Sequence, residues 1–292
     1  MLFHMAGPIK RTSRDLDSMT SGISQITSEL DARRTLLLER YDEEDLHQLR
    51  VNIRRLRGLL KGNSRPGVSE LRREWGALAR CTNAARDWDT LASYADTSLA
   101  PAVRPQLSPL IAEHCAFAHA DVLAMLKSQE WNHPMQEWRR LADRNGDNLF
   151  LAGPGFPDAR QKATRVVRAS LRAMTREDDA SWHKLRVAIK DLRYTLDNQD
   201  LTGKKARAQA MPTIQLCKRL QGSLGDWHDY VVHRALLAQL ADNPSVKGDD
   251  KLAAALKSLQ TANCRRGDHS LNQVKQLLQA DGQLLEMMAG NS

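Results

Sequence analysis

Aromatic residues make up only 5% of the 292-residue chain, and its four cysteines include no CxxC pair. Cys81, Cys115, Cys217 and Cys264 are too widely spaced for a zinc knuckle or a compact disulfide framework, and are expected as buried, reduced thiols. No apolar run approaches the roughly 18 residues that cross a bilayer, so no membrane span is expected. Met1 to Arg14 carries Lys10, Arg11 and Arg14 but no apolar segment, which argues against a secretory signal and for a cytoplasmic protein. Period-two alternation is nearly missing, which excludes a sheet protein. Walker loops, nucleophile elbows and dinucleotide fingerprints are missing too, so no cofactor is expected and no catalytic residue is assigned.

What is present is charge and helical periodicity. Lys and Arg number 43 against 35 Asp and Glu, giving a net charge of +8 and a pI near 9.5. That surplus favours an anionic partner without choosing among nucleic acid, phosphorylated polymer and lipid surface. Hydrophobic residues are 41%, enough for a sizeable core. Apolar residues at i, i+3 and i+4 predict helices over approximately 22–41, 43–61, 68–96, 102–128, 158–177, 180–200, 204–241 and 249–288, the last broken near Gly267. Gly153-Pro154-Gly155-Phe156-Pro157 reads as the junction between two halves, and Ser64-Arg65-Pro66-Gly67 as a loop within the first. The expected organisation is a flexible basic tail over 1–22, then one body of two repeat halves, 23–150 and 156–290. Four helices per half suggests two four-helix bundles.

The halves repeat each other. His47-Gln48-Leu49-Arg50-Val51-Asn52-Ile53-Arg54-Arg55-Leu56-Arg57 aligns with His183-Lys184-Leu185-Arg186-Val187-Ala188-Ile189-Lys190-Asp191-Leu192-Arg193, with seven of the eleven pairs identical. Arg86-Asp87-Trp88-Asp89 similarly resembles Gly225-Asp226-Trp227-His228-Asp229. Duplication explains both.

On a helix, His47, Arg50, Arg54, Arg57 and Lys61 fall within an arc of about 80°, beside a separate arc of Leu49, Ile53, Leu56 and Leu60. The second copy places His183, Arg186, Lys190 and Arg193 beside Leu185, Ile189, Leu192 and Leu196, with Asp197 at the fifth position. Like charges at i, i+3 and i+4 repel by a few tenths of a kcal/mol per pair, and no acid interrupts the rows from His47 to Lys61 or from His183 to Arg193. A repeating phosphate chain relieves that repulsion: successive cations rise roughly 4.5–6 Å along the helix, and arginine forks match phosphate oxygens. The plainer reading of one such row is a solvated basic face; two matching rows favour a shared ligand.

The doubled H-x-x-R-V-x-I-[RK]-x-L-R pattern resembles the CHAD domain, the conserved histidine α-helical domain, as does Leu220-Gln221-Gly222-Ser223-Leu224-Gly225-Asp226-Trp227-His228-Asp229 with the family's L-Q-x-x-L-G-x-x-x-D segment. The likeness covers about 23–290. It implies an all-α fold of two pseudo-symmetric four-helix bundles with a basic central groove or pore, and non-catalytic binding of inorganic polyphosphate, including association with polyphosphate granules. Carried over by motif, the binding residues are His47, Arg50, Arg54 and Arg57, with His183, Arg186, Lys190 and Arg193. The stripe adds Lys61; Arg80, Arg172 and Arg219 are weaker candidates on neighbouring helices. Many members also carry an N-terminal triphosphate-tunnel β-domain, for which this chain has no room, so triphosphatase activity is not expected. The first half departs from the pattern at Ala84-Ala85-Arg86-Asp87, where Arg86 either extends the basic surface or pairs with Asp89.

Two rivals follow from the same residues. Nucleic acid would enter a basic groove through its phosphates, but Trp88 and Trp227 sit mid-helix and are expected in the core rather than stacked on bases. His228-Asp229 with His183 also resembles part of the ligand set of helical metal-dependent phosphohydrolases, although no first ligand precedes it and no metal ligand is assigned.

Overall fold

In a computed structural model, described here for residues 13–61, 63, 65–145, 156–173, 178–197 and 204–287, every regular element is a helix. Within those ranges, the side chains of 13–23, 145, 156–160, 197, 204–209 and 282–287 lie outside the description. The order is α1 (Ser13–Glu39), α2 (Glu43–Leu59), α3 (Val68–Cys81), α4 (Asn83–Ser98), α5 (Arg104–Lys127), α6 (Gln129–Asn145), α7 (Phe156–Arg172), α8 (Asp179–Asp197), α9 (Lys204–Ala241), α10 (Pro244–Lys247) and α11 (Asp250–Met287).

Two compact units divide the chain. The first comprises 1–83 and 119–153, the second 84–118 and 154–292. They do not coincide with the repeat halves of the sequence, because α4 from Ala84 and the start of α5 group with the second unit.

In the first unit, α2 packs between α1 and α3, and α3 packs on α6. Leu46, Leu49, Ile53, Leu56 and Leu60 recur at three- and four-residue steps along α2 and are almost fully buried. Asp42 caps the helix, its carboxylate accepting from the Glu44 and Asp45 amides at 2.9 and 3.2 Å. Glu43, Glu44 and Asp45 face the positive end of the helix dipole. Helix α6 is absent from the periodicity reading, yet its signal is present: Trp131, Met135 and Trp138 at i, i+4 and i+7 are buried, with the Trp138 indole donating to Thr27 Oγ1 at 2.9 Å. Pro134 and the polar residues around it hid that pattern.

The second unit is built on α8, which packs on α7 and α9, while α9 runs along α11. Its core takes Trp182, Leu185, Ile189, Leu192 and Leu196 from α8 and Leu216, Leu220, Leu224 and Trp227 from α9. Trp88 and Trp227 are both buried, in accord with the core role expected for the mid-helix tryptophans.

Four local expectations need correction. Helix α1 begins at Ser13 rather than near 22. The predicted 68–96 helix is interrupted at buried Thr82, whose hydroxyl donates to the Ala79 carbonyl at 2.9 Å and so competes with the helical ladder. Phe156 and Pro157 belong to α7, Pro157 sitting in the first turn where its missing N–H costs nothing; Gly153, Pro154 and Gly155 lie outside the described residues. Cys81 and Cys264 are exposed, whereas Cys115 and Cys217 are buried; all four are free thiols.

Helix α11 is also continuous through Gly267 rather than broken there. A Cβ at this position would lie 2.6 Å from the Tyr230 ring of α9, so the glycine marks close helix–helix approach, not a helix end. Gly267→Ala is therefore expected to destabilise the protein by about 1–3 kcal/mol through overpacking, despite alanine's helix advantage of about 1 kcal/mol. In a Tyr230→Ala background the same substitution should become neutral or stabilising; urea denaturation of the four-member cycle measures both.

Candidate functional site

Burial of the leucine seam on α2 turns the cationic row the other way. His47, Arg54 and Lys61 are exposed, while Arg50 and Arg57 are half-buried. On α8, His183 is exposed and Arg186, Lys190 and Arg193 are half-buried. Each row thus stays on its own unit as the periodicity predicts, but its members are not equivalent.

Arg50 is tied into the interruption between α3 and α4. Its guanidinium donates to the Ala79 carbonyl at 3.0 Å, to Asn83 Oδ1 at 3.0 Å and to the Thr82 hydroxyl. These acceptors are neutral, so its charge is kept while the side chain is immobilised. Arg57 is set differently. Its guanidinium lies flat against Gly76 of α3, and its Nε is buried without a hydrogen-bond acceptor. Burial, and then the charges of Arg72 and Arg80, hold its proton affinity below that of an ordinary arginine. Arg80, a candidate from sequence, lies one turn after Gly76 on the same face of α3, as Arg72 lies one turn before it.

The second unit assembles a cluster with acids in it. The rings of His183 and His228 are 5.5 Å apart. Asp229 accepts from Arg86 at 3.0 Å and lies 3.8 Å from Arg266, which also meets Asp226 at 3.1 Å. Arg86 reaches Asp87 at 3.2 Å as well, so it pairs with Asp87 and Asp229 rather than with Asp89. The Arg266 guanidinium also covers the Tyr94 ring at 5.0 Å. Arg193 lies over the ring of Tyr194, an exposed aromatic neighbour.

His228 is pushed down to about 4 by burial, then by Arg186, with His183 and Arg86 adding to the effect against the opposing pull of Asp229. His233, buried and 3.3 Å from Thr90 Oγ1, is lowered to about 4 by burial and then by Arg266 and Arg86. Both imidazoles are thus neutral near pH 7.

The remaining candidates separate. Arg219 is held by Asp281 at 2.6 Å. Arg172 is exposed in the last turn of α7. The Asp197 side chain lies outside the described residues. From sequence, Arg86 either extends the basic surface or pairs with Asp89, and Arg72 and Arg266 either line the groove or, as lone cations more often do, are simply solvated. Arg86 stood within a quoted motif, but only its partner 143 residues away gives it a role.

The CHAD domain matches residues 22–238. The chain belongs to the CHAD family. It is similar to the crystal structure of the CHAD domain from the plant Ricinus communis, with a TM-score of 0.68 and 21% identity over 90% of this chain and 91% of that one. It is similar as well to PptA from Streptomyces chartreusis, with a TM-score of 0.65 and 14% identity over 90% of this chain and 98% of that one. No curated protein matches it significantly. At these identities the two structures establish the all-helical CHAD fold. Among the described residues no helix is long and apolar enough to cross a membrane.

Two outcomes follow from this geometry. Arg50→Ala removes three hydrogen bonds at the α3–α4 interruption and is expected to cost about 1–3 kcal/mol in urea denaturation. His47→Ala, at an exposed position, should stay within about 0.5 kcal/mol of the parent. The second outcome concerns acid. The unfolded chain protonates its histidines near 6.5, whereas His228 and His233 resist protonation until about 4. Below 6.5 the unfolded state therefore binds more protons, and stability falls as pH drops from 6.5 to about 4. In His228→Gln/His233→Gln protein, urea midpoints should decline less across that window than in the parent.

Proposed function

We propose that this CHAD protein binds inorganic polyphosphate without catalysing its turnover. The binding groups are His47, Arg50, Arg54, Arg57 and Lys61 on α2, with His183, Arg186, Lys190 and Arg193 on α8. The carrying observation is that each helix buries one apolar seam and turns an acid-free cationic row away from it. Family membership supports the reading, because polyphosphate binding is what the CHAD resemblance implies. Association with polyphosphate granules would be its cellular counterpart.

Catalysis has weaker grounds. A metal-dependent phosphohydrolase would need Asp229 as a ligand, yet Arg86 and Arg266 already occupy that carboxylate, and Arg186 and Arg86 set positive charge beside His228. Nucleic acid is a competing polyanion. Burial of Trp88 and Trp227 argues against base stacking there, while exposed Tyr194 beside Arg193 is the feature that favours it.

Titration with long-chain polyphosphate is expected to give a dissociation constant of about micromolar or tighter, weakening steeply with salt as counterions are released. Single- and double-stranded nucleic acid at equal phosphate concentration should bind less well; equal affinity for all three would leave a generic polyanion binder. Arg54→Glu with Lys190→Glu should abolish binding while circular dichroism stays helical. Retained binding in that folded variant would place the site elsewhere.

A further inference from the structure

Most cations in the two rows and their surroundings have a hydrogen-bonding or charged partner within the protein. Arg57, Arg72 and Arg80 form one group: among the described residues, no carboxylate pairs with any of the three, and the charges of Arg72 and Arg80 both act on Arg57. Arg72 is fixed by donating from Nε to the Arg57 carbonyl at 3.3 Å. Arg57 is fixed by α3. A Cβ at buried Gly76 would lie 3.2 Å from the Arg57 Cζ and Nη2 and 3.4 Å from its Nε, so any larger residue there would push the guanidinium away by a few tenths of an ångström.

Arg57 and Arg80 each lie in the last turn of their helix, where the dipole is negative. That explains part of the tolerance for like charges. It supplies no acceptor for the buried Nε of Arg57, and it leaves Arg72, at the start of α3, without compensation. Arg72, Gly76 and Arg80 follow one another at single turns on one face of α3, so the guanidinium seated at Gly76 lies beside a face that carries two further arginines. Such a group with no paired acid suits a compact, doubly charged oxyanion better than a singly charged link of a chain. Inorganic polyphosphate offers both kinds of group. Its internal phosphates carry one negative charge, whereas a terminal phosphate, like a phosphate monoester, carries about −1.5 to −2 near pH 7.

We propose that Arg57, Arg72 and Arg80, with Gly76 positioning the Arg57 guanidinium, form a subsite for the dianionic terminal phosphoryl group of a polyphosphate chain. The inference rests on the polyphosphate reading for its ligand, and on the first unit alone for its geometry. The cluster around Asp229 in the second unit is not its equivalent, because Asp226 and Asp229 already neutralise Arg86 and Arg266 there.

The test compares linear tripolyphosphate, which has chain ends, with a cyclic metaphosphate of at least equal total charge, which has none. Binding is measured by calorimetry at fixed ionic strength on the full chain. The parent is expected to prefer the linear compound by about tenfold. Arg80→Gln, at an exposed position, should reduce that preference to about twofold or less. Gly76→Ala should lower the preference measurably by pushing the Arg57 guanidinium out of place by a few tenths of an ångström, while its thermal midpoint stays level or rises, because alanine is the better helix former. A purely structural role for Gly76 would leave the linear-to-cyclic ratio untouched.

Equal affinity for the two compounds in the parent overturns the proposal, as does full preference in folded Gly76→Ala protein. If Gly76→Ala does not fold, Arg80→Gln decides, and retained preference there overturns it. Binding of long-chain polyphosphate without preference for ends would remove the subsite and keep the broader reading. Preference for linear tripolyphosphate without long-chain binding would overturn both the polyphosphate reading and the chain-end subsite, leaving these arginines as a site for a small phosphate compound. Failure of the parent to bind any of the three removes both.

Discussion

Burial of one apolar seam per repeated helix fixes everything that the cations can do. Leu46, Leu49, Ile53, Leu56 and Leu60 on α2, and Leu185, Ile189, Leu192 and Leu196 on α8, are all within 1% of complete burial. A leucine moved from core to water costs about 1.5–3 kcal/mol, whereas neighbouring like charges on a helix face cost only a few tenths each. The seam therefore sets the rotation of the helix, and the cationic row follows. A helix whose polar face were chosen to separate charges would have to expose leucines, and it would lose several times more free energy than it relieved.

Within that constraint the two units treat positive charge in different ways. The second unit interleaves acids with its cations: Arg86 and Arg266 share Asp229, and Arg266 adds Asp226. It also places a histidine where a permanent cation would be expensive. His228, with Arg186 and His183 beside it, releases its proton at neutral pH rather than add another charge. The first unit uses hydrogen bonds to neutral groups for Arg50 and the C-terminal ends of helices for Arg57 and Arg80. Neutral acceptors and helix dipoles hold a guanidinium in place without cancelling its charge. Duplication thus preserved the rows while the compensation around them diverged.

The helical periodicity, the doubled motif and the face on which each cation sits were all legible from residue order, because each is a local consequence of 3.6 residues per turn. Partners distant in sequence were not. Arg86 and Asp229 are 143 residues apart, and Arg50 meets Thr82 and Asn83 more than 30 positions away. Nothing in the immediate neighbourhood of either arginine states which acceptor it will find. The Thr82 interruption was illegible for a related reason: a single β-branched residue is tolerated in most helices, and it interrupts this one where its hydroxyl takes the Ala79 carbonyl and meets a guanidinium from α2. Helix α6 shows the reverse case. Its buried Trp131, Met135 and Trp138 carry a local signal, but the proline among them masks the helical period.

Glycine shows most directly why local cues run out. By propensity alone Gly76 and Gly267 are the same defect, each weakening a helix interior by about 1 kcal/mol relative to alanine. By packing they are opposites in consequence. Gly267 admits the Tyr230 ring and lets α9 and α11 approach, so its absence of a side chain serves the core. Gly76 admits the Arg57 guanidinium and brings a charged group into a half-buried niche, which serves no core and carries an electrostatic cost. A helix with a glycine against a cation that no carboxylate pairs is weakened twice, in propensity and in desolvation. Stability alone supplies no reason for that combination, whereas an anion arriving from solution would offset the second cost directly.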